Sequence, residues 1–342
     1  MGKRFRNDYC ELAHPFILKA LMEHSSEQNE AYGLDVHSRK AAQYIKDAFG
    51  APSAEVHFLA GGTQTNLLLI SKALRHFEGV ISADTGHINV HETAAVEGSG
   101  YKIITIPNIN GKITAKQVEE KVASFNDDEH MVRPRMVYIS NSTELGTIYT
   151  ESELAEICGV CKKLNLYFFI DGARLGSALT SSENDLKPSA LGKLCDAFYV
   201  GGTKNGLLFG EALVINNPEL AKDFRRHIKN KGAMLAKGYA VGIQFEAAFE
   251  NGLYFELAKK ANVMADLIKK GFKEFGIDIL PSPTNQIFAT FEKETALLYI
   301  KTFGCELWED HGEKLTIRFV TSFLTEEPDV NELLEFASSH RK

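Results

Sequence analysis

Two ionisable side chains follow apolar runs in the middle of the chain. Asp171 comes directly after the run at 166–170, and Lys204 follows the run at 197–200 and a pair of glycines. Both runs have the length and the aromatic, β-branched composition of buried strands. Strands buried in an α/β sheet present their functional groups at their carboxyl ends. We therefore expect Asp171 and Lys204 to lie at one edge of the same sheet.

An acid and an amine in this arrangement suit pyridoxal phosphate (PLP) as a cofactor. A lysine can form a Schiff base with the aldehyde of PLP, and a carboxylate can keep the ring nitrogen protonated. Taken singly, Asp171 also suits a strand-end turn, and Lys204 also suits a solvated loop. Their joint placement at two strand ends favours a catalytic role for both over these structural roles.

A candidate anion site lies earlier in the chain. A short strand at 55–59 is followed by Gly61, Gly62 and Thr63, and an apolar helix begins there. Free backbone N–H groups at the start of a helix can bind an anion, and the Thr63 hydroxyl adds a donor. The segment is neither a GxGxxG nor a Walker motif, so it predicts no dinucleotide or triphosphate. A capped helix after a glycine turn is the alternative.

Strands alternate with helices between about residues 55 and 215. This order predicts an α/β fold, with a mostly parallel sheet covered by helices on both faces. His87 and Glu144 also follow predicted strands, so we expect them at the same edge as Asp171 and Lys204.

Longer helices follow residue 218, with two strands among them, and predict a smaller α+β unit. The expected parts are an amino-terminal segment at 1–30, a large domain at 31–250 and a small carboxyl-terminal domain at 251–342.

Composition excludes several classes of function. The 342-residue chain carries a formal net charge of −7, which gives no basic field for nucleic acid. Apolar runs fall short of a membrane span, and the first residues contain no apolar signal region. Cys158 and Cys161 form a CxxC inside a predicted amphipathic helix without a second pair, so we expect no metal site. These features suggest a reduced, cytoplasmic protein.

Six short segments, taken in order, resemble one family of enzymes. They are Tyr32-Gly33-x-Asp35, Gly62-Thr63-Gln64-x-Asn66-Leu67, His87 followed by Glu92, Asp171-Gly172-Ala173-Arg174, Gly201-Gly202-Thr203-Lys204-Asn205-Gly206, and Ile317-Arg318-Phe319-Val320-Thr321. Together they are similar to the PLP-dependent enzymes of fold type I. More narrowly, they resemble the β-eliminating lyase family and its low-specificity L-threonine aldolases, in a branch that resembles phenylserine aldolases.

The resemblance implies an aspartate aminotransferase-like fold, with a mostly parallel, seven-stranded sheet in the large domain and a smaller α+β domain. It implies roles for nine residues. Lys204 would be the Schiff-base lysine, Asp171 the partner of the ring nitrogen and His87 the side chain stacked on the ring; Gly62 and Thr63 would hold the phosphate, with Thr203 as an extra donor; Arg174, Arg318 and Asn7 would bind the substrate carboxylate.

The chain departs from the family pattern at three places. Asn7 stands where the family has a serine, so an amide replaces a hydroxyl. The arginine of a Met-Arg-Gln segment is missing from the sequence at 234–236. Glu144 stands where the best-known aldolases have a histidine, so the group that handles the proton of the substrate hydroxyl stays open. The candidates are His87, His91, Glu144 and a bound water.

The implied function is cleavage of a β-hydroxy-α-amino acid, such as threonine, allo-threonine or phenylserine, to glycine and an aldehyde. The alternative is β-elimination from an aromatic or other amino acid. A nucleotide-binding module without catalysis is disfavoured, because GxGxxG and GK[ST] motifs are absent. Expected partners are a small amino acid and further copies of the chain, in a homodimer or homotetramer.

Overall fold

The computed structural model describes residues 5–341, so residues 1–4 of the expected amino-terminal segment and residue 342 lie outside the described part. Within that part, eleven strands are present. They are β1 Glu55–Leu59, β2 Glu78–Ala83, β3 Lys102–Ile106, β4 Arg133–Ser140, β5 Tyr167–Asp171, β6 Ala197–Gly201, β7 Glu211–Ile215, β8 Asp278–Ile279, β9 Gln286–Glu292, β10 Glu306–Asp310 and β11 Lys314–Val320.

Fifteen α-helices lie in the same described range. They are α1 Pro15–Glu23, α2 Val36–Phe49, α3 Gly62–Ala73, α4 His87–Val90, α5 Ala95–Gly98, α6 Ala115–Ala123, α7 Glu151–Lys163, α8 Leu175–Leu179, α9 Leu191–Leu194, α10 Pro218–Ala221, α11 Phe224–Asn230, α12 Tyr239–Glu250, α13 Leu253–Glu274, α14 Lys293–Phe303 and α15 Glu327–Ser339. No helix among the described residues combines the length and apolar character needed to cross a membrane.

Local sequence signals fix several helix ends. The Asp35 side chain accepts a hydrogen bond from Ser38 N at the start of α2, and Gly50 ends this helix in the left-handed region at φ 62°. At α7, Thr150 and Glu153 form a capping box. These caps satisfy backbone groups that a helix end would otherwise leave unpaired.

Seven strands form the larger sheet, in the order β1-β7-β6-β5-β4-β2-β3. The five strands from β6 to β3 in this order are parallel, and β7 runs antiparallel to both of its neighbours. The prediction of a mostly parallel sheet is therefore confirmed. All residues of β2, β6 and β7 are buried, which agrees with helices on both faces.

Alternation along β5 separates the two faces of this sheet. Phe168 and Ile170 belong to one apolar cluster, whereas Phe169 belongs to the cluster on the other face together with Tyr138 and Tyr199. Successive strand residues point to opposite faces, so Asp171 shares the face of Phe169. This fact decides which side chains meet at the end of β5.

Four antiparallel strands form the smaller sheet, in the order β10-β11-β9-β8. Its core contains residues of α13, α14 and α15. Two of its strands, β8 and β10, were not expected from the sequence. The β10 strand lies at the sheet edge with mostly exposed side chains, so it lacks the apolar alternation of a buried strand. Because α13 contacts both α8 and α15, the division near residue 250 stays a prediction.

Strand ends converge at one edge of the larger sheet. Ser140 of β4 pairs with Asp171 of β5, and both residues end their strands. Since β7 runs in the opposite direction, its first residue, Glu211, pairs with Gly201 at the end of β6. An antiparallel strand thus brings its amino end to the edge where the parallel strands finish.

Candidate active site

A cavity of about 320 Å³ lies at this edge of the larger sheet. It collects most of the side chains that the sequence predicts to be functional. The predicted residues that line it are Gly62, Thr63, His87, Glu144, Asp171, Arg174, Thr203 and Lys204. Arg318 and Asn7 are not among the lining residues. Larger cavities elsewhere, of about 480 Å³ and 490 Å³, contain none of the predicted residues.

Lys204 presents a buried amine to the cavity. Among the described residues, Nζ has no hydrogen bond or ion pair, and it lies 5.8 Å from the centre of the Tyr9 ring. Burial and the charge of Arg174 lower the pKa of the Lys204 amine. A lowered pKa increases the fraction of neutral amine, which is the form that attacks an aldehyde. The end of β6 before it requires glycine, since a Cβ at Gly201 would lie 2.4 Å from the Ala173 carbonyl oxygen.

Asp171 is buried and accepts four hydrogen bonds. Oδ1 accepts from the Tyr199 hydroxyl at 2.5 Å and from Ala173 N at 2.9 Å. Oδ2 accepts from the Tyr138 hydroxyl at 2.6 Å and from Asn66 Nδ2 at 3.0 Å. Burial opposes ionisation, but the charge of His87 and these donors together lower the pKa of Asp171. Asp171 is therefore a carboxylate at neutral pH.

His87 is held by a second buried carboxylate. Its Nδ1 lies 2.8 Å from Glu92 Oε1, which also accepts from Asn66 Nδ2 at 2.7 Å. One amide nitrogen thus bridges Glu92 and Asp171. Thr93 and Ala94, the residues after Glu92, have φ values of 50° and 56°, a conformation that is rare for non-glycine residues. This strained turn lies directly beside the carboxylate of Glu92, which orients His87.

Glu144 lies across the cavity edge from these groups. Its Oε1 accepts from Ser140 Oγ at 2.7 Å and from His87 N at 3.0 Å. Burial raises the pKa of Glu144 above that of an ordinary glutamate. A carboxyl group of this kind can exchange a proton nearer to neutral pH.

The amino terminus of α3 offers donors to an anion. Within the described chain, the backbone N–H groups of Gly62, Thr63 and Gln64 have no protein acceptor, and the first bond of the helix runs from Thr65 N to Gly61 O. Thr63 is exposed. Free N–H groups and the helix dipole together favour a phosphate at this position.

Thr203 differs from its predicted role, because the protein uses both of its donors. Its hydroxyl donates to Glu211 Oε1 at 2.8 Å, and its backbone N–H donates to Gly210 O at 3.2 Å. Gly202 N donates to the other carboxylate oxygen of Glu211 at 2.9 Å. The structure therefore gives Thr203 no free donor for a phosphate. Burial raises the pKa of Glu211 to about 8.

Arg174 lines the cavity, and one edge of its guanidinium is already hydrogen-bonded to Asp8. Its Nε and Nη2 donate to Asp8 at 2.7 Å and 3.0 Å, and Asn285 Nδ2 also donates to Asp8 at 3.0 Å. Asn7, predicted to contact substrate, instead accepts a hydrogen bond from Tyr9 N and holds a turn. This turn places Asp8 against Arg174 and Tyr9 beside Lys204, so Tyr9 lines the cavity where Asn7 does not.

Arg318 lies outside the cavity wall. Its Nη2 donates to Glu306 at 2.6 Å, its Nη1 donates to Gln286 at 3.1 Å, and its guanidinium lies 5.3 Å from the Trp308 ring centre. Its buried Nε has no partner among the described residues. Arg318 is thus held by β9 and β10 of the smaller sheet, through Nη1 and Nη2 and not through Nε.

Residues of the site that were not identified from the sequence include Asp8, Tyr9, Tyr138, Tyr199 and Glu211. A signal existed for the two tyrosines, since a tyrosine inside an apolar strand needs a hydroxyl partner. Residues 138, 169 and 199 share one face by alternation, which points the hydroxyls towards residue 171. For Asp8, whose partner is remote in sequence, no local signal was available.

A group of side chains suited to a metal ion lies elsewhere. Within residues 5–341, only His24, Glu27 and His37 form such a group, beside the connection between α1 and α2. The two histidines already pair with different oxygens of Glu27, at 2.7 Å and 2.8 Å. The expectation of no metal site stays a prediction.

Comparison with known proteins identifies relatives of the whole chain. The family model described as β-eliminating lyase matches residues 16–294. The low specificity L-threonine aldolase of Pseudomonas sp. (strain NCIMB 10558) is 32% identical over 324 residues, which cover 92% of this chain and 91% of that protein. The Leishmania major threonine aldolase structure has a TM-score of 0.97 and 42% identity, and covers 99% of this chain and 100% of its own.

A more distant neighbour shows how widely the fold is shared. Aspartate aminotransferase from Thermus thermophilus has a TM-score of 0.70 at 13% identity, covering 99% of this chain and 90% of its own. At this level of identity the likeness concerns the fold alone. Together with the Leishmania structure, it confirms the predicted fold type I architecture.

Proposed function

The chain belongs to the β-eliminating lyase family, and on this premise we propose that it is a PLP-dependent lyase that cleaves a β-hydroxy-α-amino acid to glycine and an aldehyde. The relatives named as low-specificity L-threonine aldolases support this reaction. One observation carries the proposal: Lys204, Asp171 and the amino terminus of α3 meet in a single cavity of about 320 Å³.

The residues of this cavity fit the aldehyde, the ring nitrogen, the phosphate and the ring face of PLP. Lys204 has an amine without a hydrogen bond or ion pair in the described part of the chain, which suits the aldehyde, and Asp171 is an ionised partner for the ring nitrogen. The free N–H groups of Gly62 and Thr63 suit the phosphate, and His87 lines the cavity where it can cover the ring. PLP, when bound, supplies a ring that accepts the electrons of the bond broken at the substrate Cα.

We assign recognition of the substrate carboxylate to Arg174 and Arg318. Asp8 holds Arg174 through Nε and Nη2, so Nη1 is the part of this guanidinium left for a ligand. Arg318 does not line the cavity of the single chain, but its charge acts on Arg174 and His91, so it lies near enough to add positive charge beside a bound carboxylate. Guanidinium groups suit a carboxylate because their planar donors match its two oxygens. We assign no substrate contact to Asn7, whose side chain holds a turn.

We assign the proton of the substrate hydroxyl to Glu144. Glu144 lines the cavity, as His87 does and His91 does not, and burial raises the pKa of Glu144. By contrast, His87 is already paired with Glu92 through Nδ1. Burial and the charge of His87 lower the pKa of His91.

We further propose that the protein forms a homodimer or homotetramer. Seven large apolar side chains between residues 9 and 36 are exposed in the single chain, at 41% or more: Tyr9, Leu12, Phe16, Met22, Tyr32, Leu34 and Val36. Such a concentration of exposed apolar side chains suits contact with another subunit. Light scattering on the purified protein would measure the assembly.

A cytoplasmic location is also a proposal, supported by five free cysteines.

Product analysis tests the proposed reaction. Purified protein with PLP is incubated with threonine, allo-threonine or phenylserine, the aldehyde is trapped, and glycine is quantified. We expect equal amounts of glycine and aldehyde from at least one substrate. Ammonia and a keto acid without glycine would instead indicate β-elimination, and the absence of any product would contradict the proposed lyase activity.

A further inference from the structure

The protein itself fills the acceptor positions of Asp171. A carboxylate offers about four lone-pair sites, and Asp171 receives hydrogen bonds from Tyr199, Ala173, Tyr138 and Asn66. The two hydroxyl donors make the shortest contacts, at 2.5 Å and 2.6 Å. Short bonds from O–H to an ionised oxygen are the strong members of their class.

The two tyrosines are built into the sheet on either side of Asp171. Tyr138 belongs to β4 and Tyr199 to β6, the two neighbours of β5. Their rings pack against Phe169, with centroids 5.7 Å and 6.3 Å away, two residues before Asp171. Both tyrosines are at most 1% exposed, so neither hydroxyl can turn to solvent.

The direction of both hydrogen bonds is fixed by the acidity of the partners. Burial and the charge of Asp171 raise the pKa of Tyr138 and Tyr199 well above the ordinary value for tyrosine. Each phenol therefore keeps its proton and donates it to the Asp171 carboxylate. The other charged groups acting on the three side chains are His87, which favours the carboxylate, and Glu92, Glu144 and Glu211, which oppose ionisation of the phenols.

Asn66 is the donor that Asp171 can release at least cost. Its hydrogen bond to Asp171 is the longest of the four, at 3.0 Å, and the same nitrogen donates to Glu92 at 2.7 Å. If a ligand nitrogen replaced it, the amide would still be paired with Glu92. Within residues 5–341 the two phenols have no comparable second partner, since their one other hydrogen bond runs over 3.4 Å between the Tyr138 hydroxyl and Ser140 Oγ.

A hydrogen bond between a carboxylate and a ring nitrogen contains one proton, which can lie on either atom. Donors to the carboxylate lower its basicity and so favour the proton on the nitrogen. We propose that Tyr138 and Tyr199 are positioning residues that hold Asp171 as a carboxylate and thereby keep the shared proton on the ring nitrogen of bound PLP. This inference rests on the proposed function, because it needs PLP in the cavity.

The position of that proton can be measured directly. The protein is loaded with PLP labelled with ¹⁵N in the ring, and the ¹⁵N NMR shift distinguishes a protonated from an unprotonated nitrogen. The variants are Tyr138→Phe, Tyr199→Phe and the double variant. Tyr299→Phe is the matched control, because Tyr299 is fully buried and donates one hydrogen bond, to His340 O, within the smaller unit.

We expect a protonated nitrogen in the wild type and in Tyr299→Phe, and a shift towards the unprotonated value in each single variant. Loss of one hydroxyl should change the proton equilibrium roughly tenfold, as expected for one hydrogen bond to a charged group. The double variant should show the largest change. Circular dichroism of each variant verifies that the fold is retained.

Three outcomes would count against the inference. A double variant whose ring nitrogen is as protonated as that of the wild type overturns it, because the hydroxyls would then have no effect on the proton. A folded single variant that no longer binds PLP also overturns it, since a positioning role leaves the Lys204 linkage intact. A wild-type protein that binds no PLP contradicts the proposed function itself, and the inference falls with it.

Discussion

Arg174 donates two hydrogen bonds to Asp8, from Nε at 2.7 Å and from Nη2 at 3.0 Å. Asp8 is 2% exposed and also accepts from Asn285, in the segment before β9. This single carboxylate therefore joins the amino-terminal segment, the loop after β5 and the smaller sheet. Because Arg174 is already held by this contact, its remaining donors are oriented before a ligand arrives.

Arg318→Ala tests the second arginine assigned to the substrate carboxylate. We expect a higher KM for β-hydroxy amino acids and a kcat/KM lower by about tenfold or more, since a tenfold loss corresponds to one missing charged contact. Steady-state kinetics provide the measurement. Arg226→Ala is the control, because Arg226 is exposed and pairs with Asp223 on the surface. Wild-type kinetics for Arg318→Ala would leave Arg318 with a structural role only.

Asp171→Ala tests the partner of the ring nitrogen. We expect the variant to retain some PLP through Lys204 but to lose turnover by roughly a hundredfold or more, because an unprotonated ring accepts electrons poorly. PLP content and kcat are measured on the same preparation. Asp196→Asn serves as control, since Asp196 caps Phe168 N at the opposite end of β5. An unchanged kcat in Asp171→Ala would remove the assigned role.

Glu144→Gln tests the group assigned to the substrate hydroxyl. We expect kcat to fall by about 10² to 10⁴, the usual contribution of a positioned acid or base, with little change in KM. A base acts when ionised, and burial raises the pKa of Glu144. Wild-type activity should therefore decline on acidification at a higher pH than an ordinary glutamate would give.

The residual activity of Glu144→Gln should not show this decline on acidification, because glutamine does not ionise. Glu78→Gln is the matched control, because Glu78 is a buried glutamate at the other end of the sheet, where it accepts from Arg75 N. If the pH profile of Glu144→Gln matched that of the wild type, another group would have to carry the proton.

Much of the site could be predicted because it follows strand direction. Asp171, Glu144 and Lys204 were found by the rule that parallel strands deliver functional groups at their carboxyl ends. This rule did not find Glu211, because β7 is antiparallel and Glu211 lies at the amino end of that strand, which reaches the same edge. The apolar composition of β7 indicates a buried strand but does not give its direction.

Other parts of the site depend on contacts between remote segments. Asp8 and Arg174 are 166 positions apart in the sequence, and no local sequence pattern predicts that they form a pair. The roles of Tyr138 and Tyr199 depend on the pairing of β4, β5 and β6, which composition does not determine. The edge strand β10 was missed for a different reason, since its exposed side chains carry little apolar signal.

Glu211→Gln tests the buried carboxyl group beneath the Lys204 turn. Its folded pKa of about 8 exceeds the ordinary value of 4.5. The folded state therefore binds more protons than the unfolded state between these values. The stability that this proton contributes is complete below about pH 4.5 and is lost as pH rises through about 8.

Urea denaturation at several pH values would measure this effect. We expect the wild-type free energy of unfolding to fall by roughly a few kcal/mol between pH 5 and pH 9. The free energy of unfolding of Glu211→Gln should fall less over this range, because its amide stays neutral. Glu78→Gln provides a comparison, because Glu78 is a buried glutamate at the opposite end of the sheet, where it accepts a hydrogen bond from Arg75 N. Parallel curves for wild type and Glu211→Gln would show that Glu211 is ionised in the folded protein at neutral pH.

The identity of the lysine that binds PLP tests the account most directly. Protein incubated with PLP is freed of excess cofactor, its visible spectrum is recorded, and the Schiff base is reduced with borohydride for mass spectrometry. Lys269→Ala is a matched control, since burial also lowers the pKa of Lys269, but its amine is paired with Asp266 and Thr284 O. We predict a yellow wild type and control with the label on Lys204, and a colourless, unlabelled Lys204→Ala. A label on another lysine, or a yellow Lys204→Ala with PLP still covalently attached, would contradict the account.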